Sequence, residues 1–188
     1  MIKKLLVKSL LNIRKIKYSL YSNNRRVSGR FKAHQPVVLR GKGEISFKKN
    51  VNLGVINSPM YYNGYAYIEA RSEVAKVNFG EDIHINNAFS AISEKSITVG
   101  NNVLIGYNCQ IYDSNFHDLH IDNRFNKDPN PMKVVIKSNV FIGNNVVILK
   151  GVTIGENSVI ASNSIVTKSF PENVVIGGNP AKIISQLN

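Results

Sequence analysis

The chain has no tryptophan and a single cysteine, Cys109, in 188 residues. A disulfide scaffold is therefore excluded, and a reducing compartment fits. No uncharged apolar run approaches the roughly 18 residues needed to cross a bilayer. Lys8 and Arg14 interrupt the one candidate signal-peptide core, so the protein is expected in the cytoplasm. Acid is scarce at the front: residues 1–49 hold 14 Lys and Arg against one acid, Glu44, whereas residues 50–188 hold 10 bases and 11 acids. A net +13 is thus followed by a net −1. A nucleic-acid binder would carry such charge on its folded surface, so the neutral body argues against a nucleic-acid partner. What is plentiful is aliphatic residues: at 43% hydrophobic the chain can build one sizeable core and is too apolar for disorder.

Those aliphatics recur with a period of six. Ile136, Ile142, Ile148, Ile154, Ile160 and Val166 stand in step, with a second set four positions on at Val140, Val146, Val152, Ser158 and Ser164. No helix has that period. The pattern predicts short strands joined by turns and stacked so that each repeat residue lies above its equivalent, an all-β solenoid. Gly143 and Gly155 follow repeat residues and are expected at the tight bends. The period returns upstream as Val99, Ile105, Ile111, as Phe79, Ile85, Ala91, and as Leu39, Ile45, Val51. Cys109 shares the register of Val103 and Val146 and is expected to point into the core as a structural thiol.

Breaks in the period mark outgrowths. Residues 112–133 lack the repeat, are polar and contain two prolines, which predicts a projecting loop; long loops in compact domains are commonly functional. NSPMYYNGYA at 57–66 either lines a sugar site or covers the solenoid flank. Residues 1–35 form a basic segment beginning with an amphipathic helix, in which Ile2, Leu6, Leu10, Ile13, Ile16 and Leu20 fall near helical spacing. Its apolar stripe suits an anionic membrane surface, the end of the solenoid or a neighbouring subunit.

The hexapeptide run from 136 to 166, together with SIVTKSFPENVVIGGNPAKII, resembles the left-handed β-helix hexapeptide-repeat acyltransferases. Closest in pattern are the galactoside, maltose and bacterial surface-polysaccharide O-acetyltransferases. The resemblance implies a left-handed parallel β-helix over 36–185, a homotrimer, and acetyl-coenzyme A bound between neighbouring solenoids. It also implies a sugar or glycan acceptor and no metal.

Acetyl transfer to a sugar hydroxyl needs a base, because the alcohol does not ionise at neutral pH. Histidine, with an ordinary pKa of about 6.5, suits the task and typically contributes about 100- to 10,000-fold. The resemblance assigns this role to His117 in DSNFHDLH, with His120 as a competitor. Asp113 and Asp118 are candidate orienters of the imidazole. By family position Asn86 and Glu94 face the acceptor, and His84 borders the groove. Gly106, Asn144 and Ser162 lie along the pantetheine, Phe141 gives it an apolar wall, and Thr167, Lys168 and Lys182 lie towards the nucleotide. Lys182 stands where a related enzyme has arginine, which turns a bidentate phosphate contact into a point-charge contact. Gly177, Gly178, Pro180 and Ala181 shape the closing turn.

The resulting expectation is an acetyl-coenzyme A-dependent O-acetyltransferase acting on a surface polysaccharide or its precursor, cytoplasmic and possible at the inner membrane surface. N-acetylation of an amino sugar is the nearest alternative. A zinc site of the carbonic-anhydrase kind, using His84, His117 and His120, is the reading from another class.

Overall fold

The computed structural model describes residues 2–188, apart from the side chain of Lys4. Each hexapeptide supplies one short strand, and three hexapeptides make one coil, so equivalent residues such as Ile136 and Ile154 pair 18 positions apart. The coils stack into a prism with three parallel-stranded faces. The first face contains residues 44–47, Lys76–Phe79, Ser96–Val99, Val134–Ile136 and Thr153–Ile154. The second contains 51–53, Ile83–Ile85, Leu104–Ile105, Phe141–Ile142, Val159–Ile160 and Val174–Gly178. The third contains Val37–Gly41, Ala66–Ala70, Ser90–Ser93, Gln110–Tyr112, Val147–Ile148 and Ile165–Val166. Glu44–Leu53 serves two faces because it turns a corner at Asn50, whose φ is 60°.

Alternation along each strand sends one side chain in and the next out. The six repeat aliphatics from Ile136 to Val166 are all buried, as are Val140, Val146, Val152, Ser158 and Ser164 of the second set. Towards the N-terminal end the core takes in aromatics. Phe31 lies 4.6 Å from Phe47, and Phe47 stacks on Phe79 at 5.0 Å.

The bends are not made as the glycines suggested. Most left-handed corner residues are asparagines: Asn102, Asn139, Asn157 and Asn173 follow Asp82 on one edge, and Asn108, Asn145 and Asn163 follow Ala88 on another, all with φ between 55° and 62°. Their amides link successive coils, Asn108 to Asn145 at 3.0 Å and Asn145 to Asn163 at 3.1 Å. Asparagine tolerates this backbone and can also bond to its equivalent above and below. Gly143 and Gly155 have ordinary φ, and their role is close approach. A Cβ on Gly143 would lie 2.7 Å from the Ser162 nitrogen, and one on Gly155 would lie 2.2 Å from the Glu172 nitrogen.

Within the basic segment 1–35, helix α1 occupies Ile2–Leu20, and Val27–Ala33 is a strand lying parallel to Glu44–Leu53. The helix docks by a mixed side that includes Val7, Leu11, Arg14, Lys15 and Tyr18. Arg14 donates to the Gly64 carbonyl at 3.1 Å, Lys15 to the Ala33 carbonyl at 2.9 Å, and the Tyr18 ring lies 4.9 Å from that of Tyr65. The apolar stripe therefore does not pack on the end of its own solenoid; it faces away from it.

The tyrosine-rich segment covers the flank of the third face and receives the helix. Buried Asn87 pins its start, donating to the carbonyls of Val55 and Pro59, both at 2.9 Å, and accepting from the Val55 amide at 3.1 Å. A cleft of about 470 Å³ remains beneath it, lined in part by Met60, Asn63, Tyr65, Tyr67 and Ser90.

Candidate functional site at the projecting loop

Residues 113–133 leave the solenoid at the end of the third face and return at Val134. Two buried carboxylates hold the loop. Asp113 accepts from the Ser93 hydroxyl at 2.6 Å and from the amides of Glu94 and Lys95 at 2.7 and 2.8 Å. Asp128 accepts from the Lys150 ammonium at 2.6 Å and from the amides of Asn115 and Asn130 at 2.7 and 2.9 Å. Burial alone would raise the Asp128 carboxyl. The Lys150 ammonium and the two amides outweigh it and hold the group down to about 2.

The two clamps bracket His117. Its Nδ1 lies 2.9 Å from the carbonyl oxygen of Arg124. A carbonyl can only accept, so Nδ1 carries the proton, and in the neutral ring Nε2 is left with a free lone pair. Loop turns place that carbonyl: Asp118 N donates to Asn126 O at 3.0 Å and Asn126 N to Asn123 O at 2.8 Å. Arg124 O is thus the partner of the ring in this structure. The contacts of Asp113 and Asp118 lie elsewhere: Asp113 accepts from the 93–95 turn, and Asp118 accepts from the His120 amide at 2.8 Å. His120 has its Nδ1 turned towards the Asp122 amide at 3.4 Å and is largely exposed.

Glu94 lies beside the loop, nearly buried. One carboxylate oxygen accepts from Ser114 Oγ at 2.7 Å; the other is 3.9 Å from Arg71. The Arg71 guanidinium caps the Phe116 ring at 4.5 Å and bonds Glu69 at 3.1 Å, bracing the residue that precedes His117. Arg71 and Phe116 had no motif to announce them; their juxtaposition depends on coil register. A cleft of about 510 Å³ opens here, lined by Lys42, Arg71, Ser72, Glu94, Lys127 and Asp128 among others.

The remaining candidates divide between edges. Asn86, Gly106, Asn144 and Ser162 follow strands of the second face and lie along the corner where it meets the third. Asn144 Oδ1 accepts from the Tyr107 amide at 3.1 Å, and its own amide donates to Ser162 Oγ at 3.0 Å. Lys182 continues this edge, paired opposite Gly177 in the one antiparallel pairing among the named strands. Asn86 Oδ1 accepts from the backbone amide of Asn87 at 2.7 Å. Outward along the second face run His84, Leu104, Phe141 and Val159, paired in register. Leu104 is as exposed as Phe141, at 48%, and extends the apolar wall that the sequence suggested for Phe141 alone.

His117, Glu94, Thr167 and Lys168 belong to the opposite edge of the third face, where that face meets the first. A single chain therefore does not bring His117 to the Gly106–Asn144–Ser162 edge. Nor does it bring His84 to His117 and His120, since His84 sits on the second face. Among the described residues there is no group of three or more His, Cys, Asp or Glu side chains able to hold a metal.

A family model for bacterial transferase hexapeptide, six repeats, matches residues 133–168. Galactoside O-acetyltransferase of Escherichia coli K12 is 40% identical over 117 residues, 59% of this chain and 57% of that protein. The putative lipopolysaccharide biosynthesis O-acetyl transferase WbbJ of the same organism is 32% identical over 162 residues, 81% of this chain and 77% of that protein. A galactoside acetyltransferase solved in complex with coenzyme A superimposes with a TM-score of 0.60 at 25% identity, covering 99% of this chain and 81% of that one. The prism is a left-handed parallel β-helix, and the chain belongs to the hexapeptide-repeat acyltransferase family.

Proposed function

We propose that this chain is an acetyl-coenzyme A-dependent O-acetyltransferase acting on a sugar hydroxyl of a surface polysaccharide or its precursor. The observation that carries the reading is the Nδ1 contact of His117 with Arg124 O, which leaves the Nε2 lone pair to act as a base. The acceptor oxygen attacks the thioester carbonyl carbon as Nε2 takes its proton. The C–S bond then breaks, the coenzyme thiolate leaves, and the proton on Nε2 passes to it, which returns the imidazole to its starting state. Glu94 and Asn86 are the proposed acceptor contacts.

The coenzyme lies along Gly106, Asn144 and Ser162, against Phe141 and Leu104, with Lys182 near its anionic end. Thr167 and Lys168 reach it from a neighbouring copy. The site is thus shared between subunits of a homotrimer; the support is the separation of the His117 edge from the coenzyme edge within one chain. The chain acts in the cytoplasm.

Incubation with acetyl-labelled coenzyme A and glycans of the source organism tests this reading. Label should appear as an alkali-labile ester and should require His117. Label in an amide of an amino sugar would replace O- by N-acetylation, and no transfer to any glycan would reject the proposal.

A further inference from the structure

Helix α1 exposes the side that a helix on a folded body ordinarily buries. Its inward side is Val7, Leu11, Arg14, Lys15 and Tyr18: Val7 and Leu11 line a cleft with Ile56 and Tyr61, and Arg14 and Lys15 donate to carbonyls of the solenoid. At 100° per residue the opposite side, about 180° away, carries Ile2, Leu6, Ile13, Ile16 and Leu20, with Leu5 and Leu10 at its margins. These seven side chains are 59–78% exposed. A stripe of seven such side chains along one helix, interrupted by Ser9, has a partner, because singly scattered surface aliphatics are ordinary and an ordered row is not.

We infer that the outward face of α1 is a docking surface for an anionic lipid bilayer, with the helix lying in the plane of the headgroups. Charge decides between a bilayer and a second copy of the chain. Lys3, Lys8 and Lys17 are exposed around the stripe, and Arg25, Lys48 and Lys49, in the chain that leads into and forms the first strands, are exposed too. Residues 1–49 carry net +13, and Glu44, their one acid, is already paired with Arg26 and Lys76. Two such ends brought together would repel, and the rest of the chain, at net −1, has no excess of acid to offer. A surface of anionic headgroups over hydrocarbon matches both the cations and the aliphatics. The helix lies on the bilayer and does not cross it: among the described residues no helix is long and apolar enough to span a membrane.

The docking geometry sorts the basic residues. Arg14 and Lys15 are committed to the solenoid, so lipid attraction at the stripe comes from Lys3, Lys8 and Lys17.

The test is flotation of the full chain with vesicles of phosphatidylcholine, with and without phosphatidylglycerol, with mass measured by light scattering and helix content by circular dichroism. The intact chain should float only with phosphatidylglycerol, and added salt should weaken attachment. Leu6→Asp combined with Ile13→Asp should weaken it by at least about tenfold at unchanged mass. Lys3→Glu, Lys8→Glu and Lys17→Glu together keep the stripe and should abolish the preference for anionic vesicles. Equal flotation with and without phosphatidylglycerol, or no flotation of the intact chain, would overturn the inference. A fall in oligomeric mass in the Leu6/Ile13 variant would overturn it in favour of a second copy as the occupant.

Discussion

The ring nitrogen Nδ1 of His117 and the carbonyl oxygen of Arg124, seven residues further along the same loop, are 2.9 Å apart. That contact fixes the tautomer without a carboxylate. A carboxylate in this position would stabilise the imidazolium more strongly and make proton return to the leaving group harder; a carbonyl orients the ring with a smaller electrostatic effect.

His117→Ala should lower kcat by about 100- to 10,000-fold while leaving coenzyme binding nearly unchanged, because a base acts in the transition state. His120→Ala should change kcat by less than about threefold. Steady-state kinetics with a coenzyme-binding titration separates the two; a larger effect at His120 would reassign the base.

Asp128 makes the loop sensitive to acid. Its folded carboxyl is depressed to about 2 from an ordinary 3.8. A depressed carboxyl contributes stability in full above its unfolded value and loses it as pH falls through its folded one. The contribution is about 2 kcal/mol at neutral pH and fades between roughly pH 5 and 2. Asp128→Ala should therefore be destabilised at pH 7 and approach the parent chain near pH 2, as read by denaturant unfolding. A constant difference across that range would contradict the assignment.

Cys109 should be inert in the folded protein. Burial pushes its thiol up to about 11, and Sγ lies 3.0 Å from the Gly143 carbonyl. Near pH 7 only about one thiol in 10,000 would be ionised. A thiol reagent should label it at a useful rate only in denaturant; rapid labelling of the native chain would show that the coils open there.

The corner asparagines should tolerate glycine better than valine. Asn145 combines φ of 55° with amide contacts to Asn108 and Asn163. Asn145→Gly keeps the backbone and loses the ladder, whereas Asn145→Val adds about 1–2 kcal/mol of left-handed strain. Thermal unfolding should rank them parent, Gly, Val.

Period six made the solenoid legible, because burying every sixth residue is what a three-sided stack requires, and the register of Cys109 followed from it. The corner chemistry was less legible. Glycine follows Ile142 and Ile154 and suggested bends, yet the left-handed corners beside them are asparagines, and Gly143 and Gly155 answer to the distance between coils. The loop's position was visible as a break in the repeat, but the partner of His117 was not. An orienting carbonyl leaves no signature in a sequence, and the nearby aspartates were the visible alternatives. The outward stripe of α1 was equally hidden, since sequence showed the amphipathic pattern but not that the side holding Arg14 and Lys15 would face inward.

The central claim is that the catalytic base and the coenzyme edge come from different copies of the chain. Complementation tests it most directly: His117→Ala is co-expressed in equal amounts with Ser162→Trp, which fills the coenzyme edge, and the mixed oligomers are assayed. Each variant alone should be inactive. If neighbouring chains share the site, random mixing leaves about a quarter of the sites with an intact histidine facing an intact coenzyme edge, and activity should return to that level. Mixed oligomers as inactive as either parent would place both halves of the site in one chain and contradict the account.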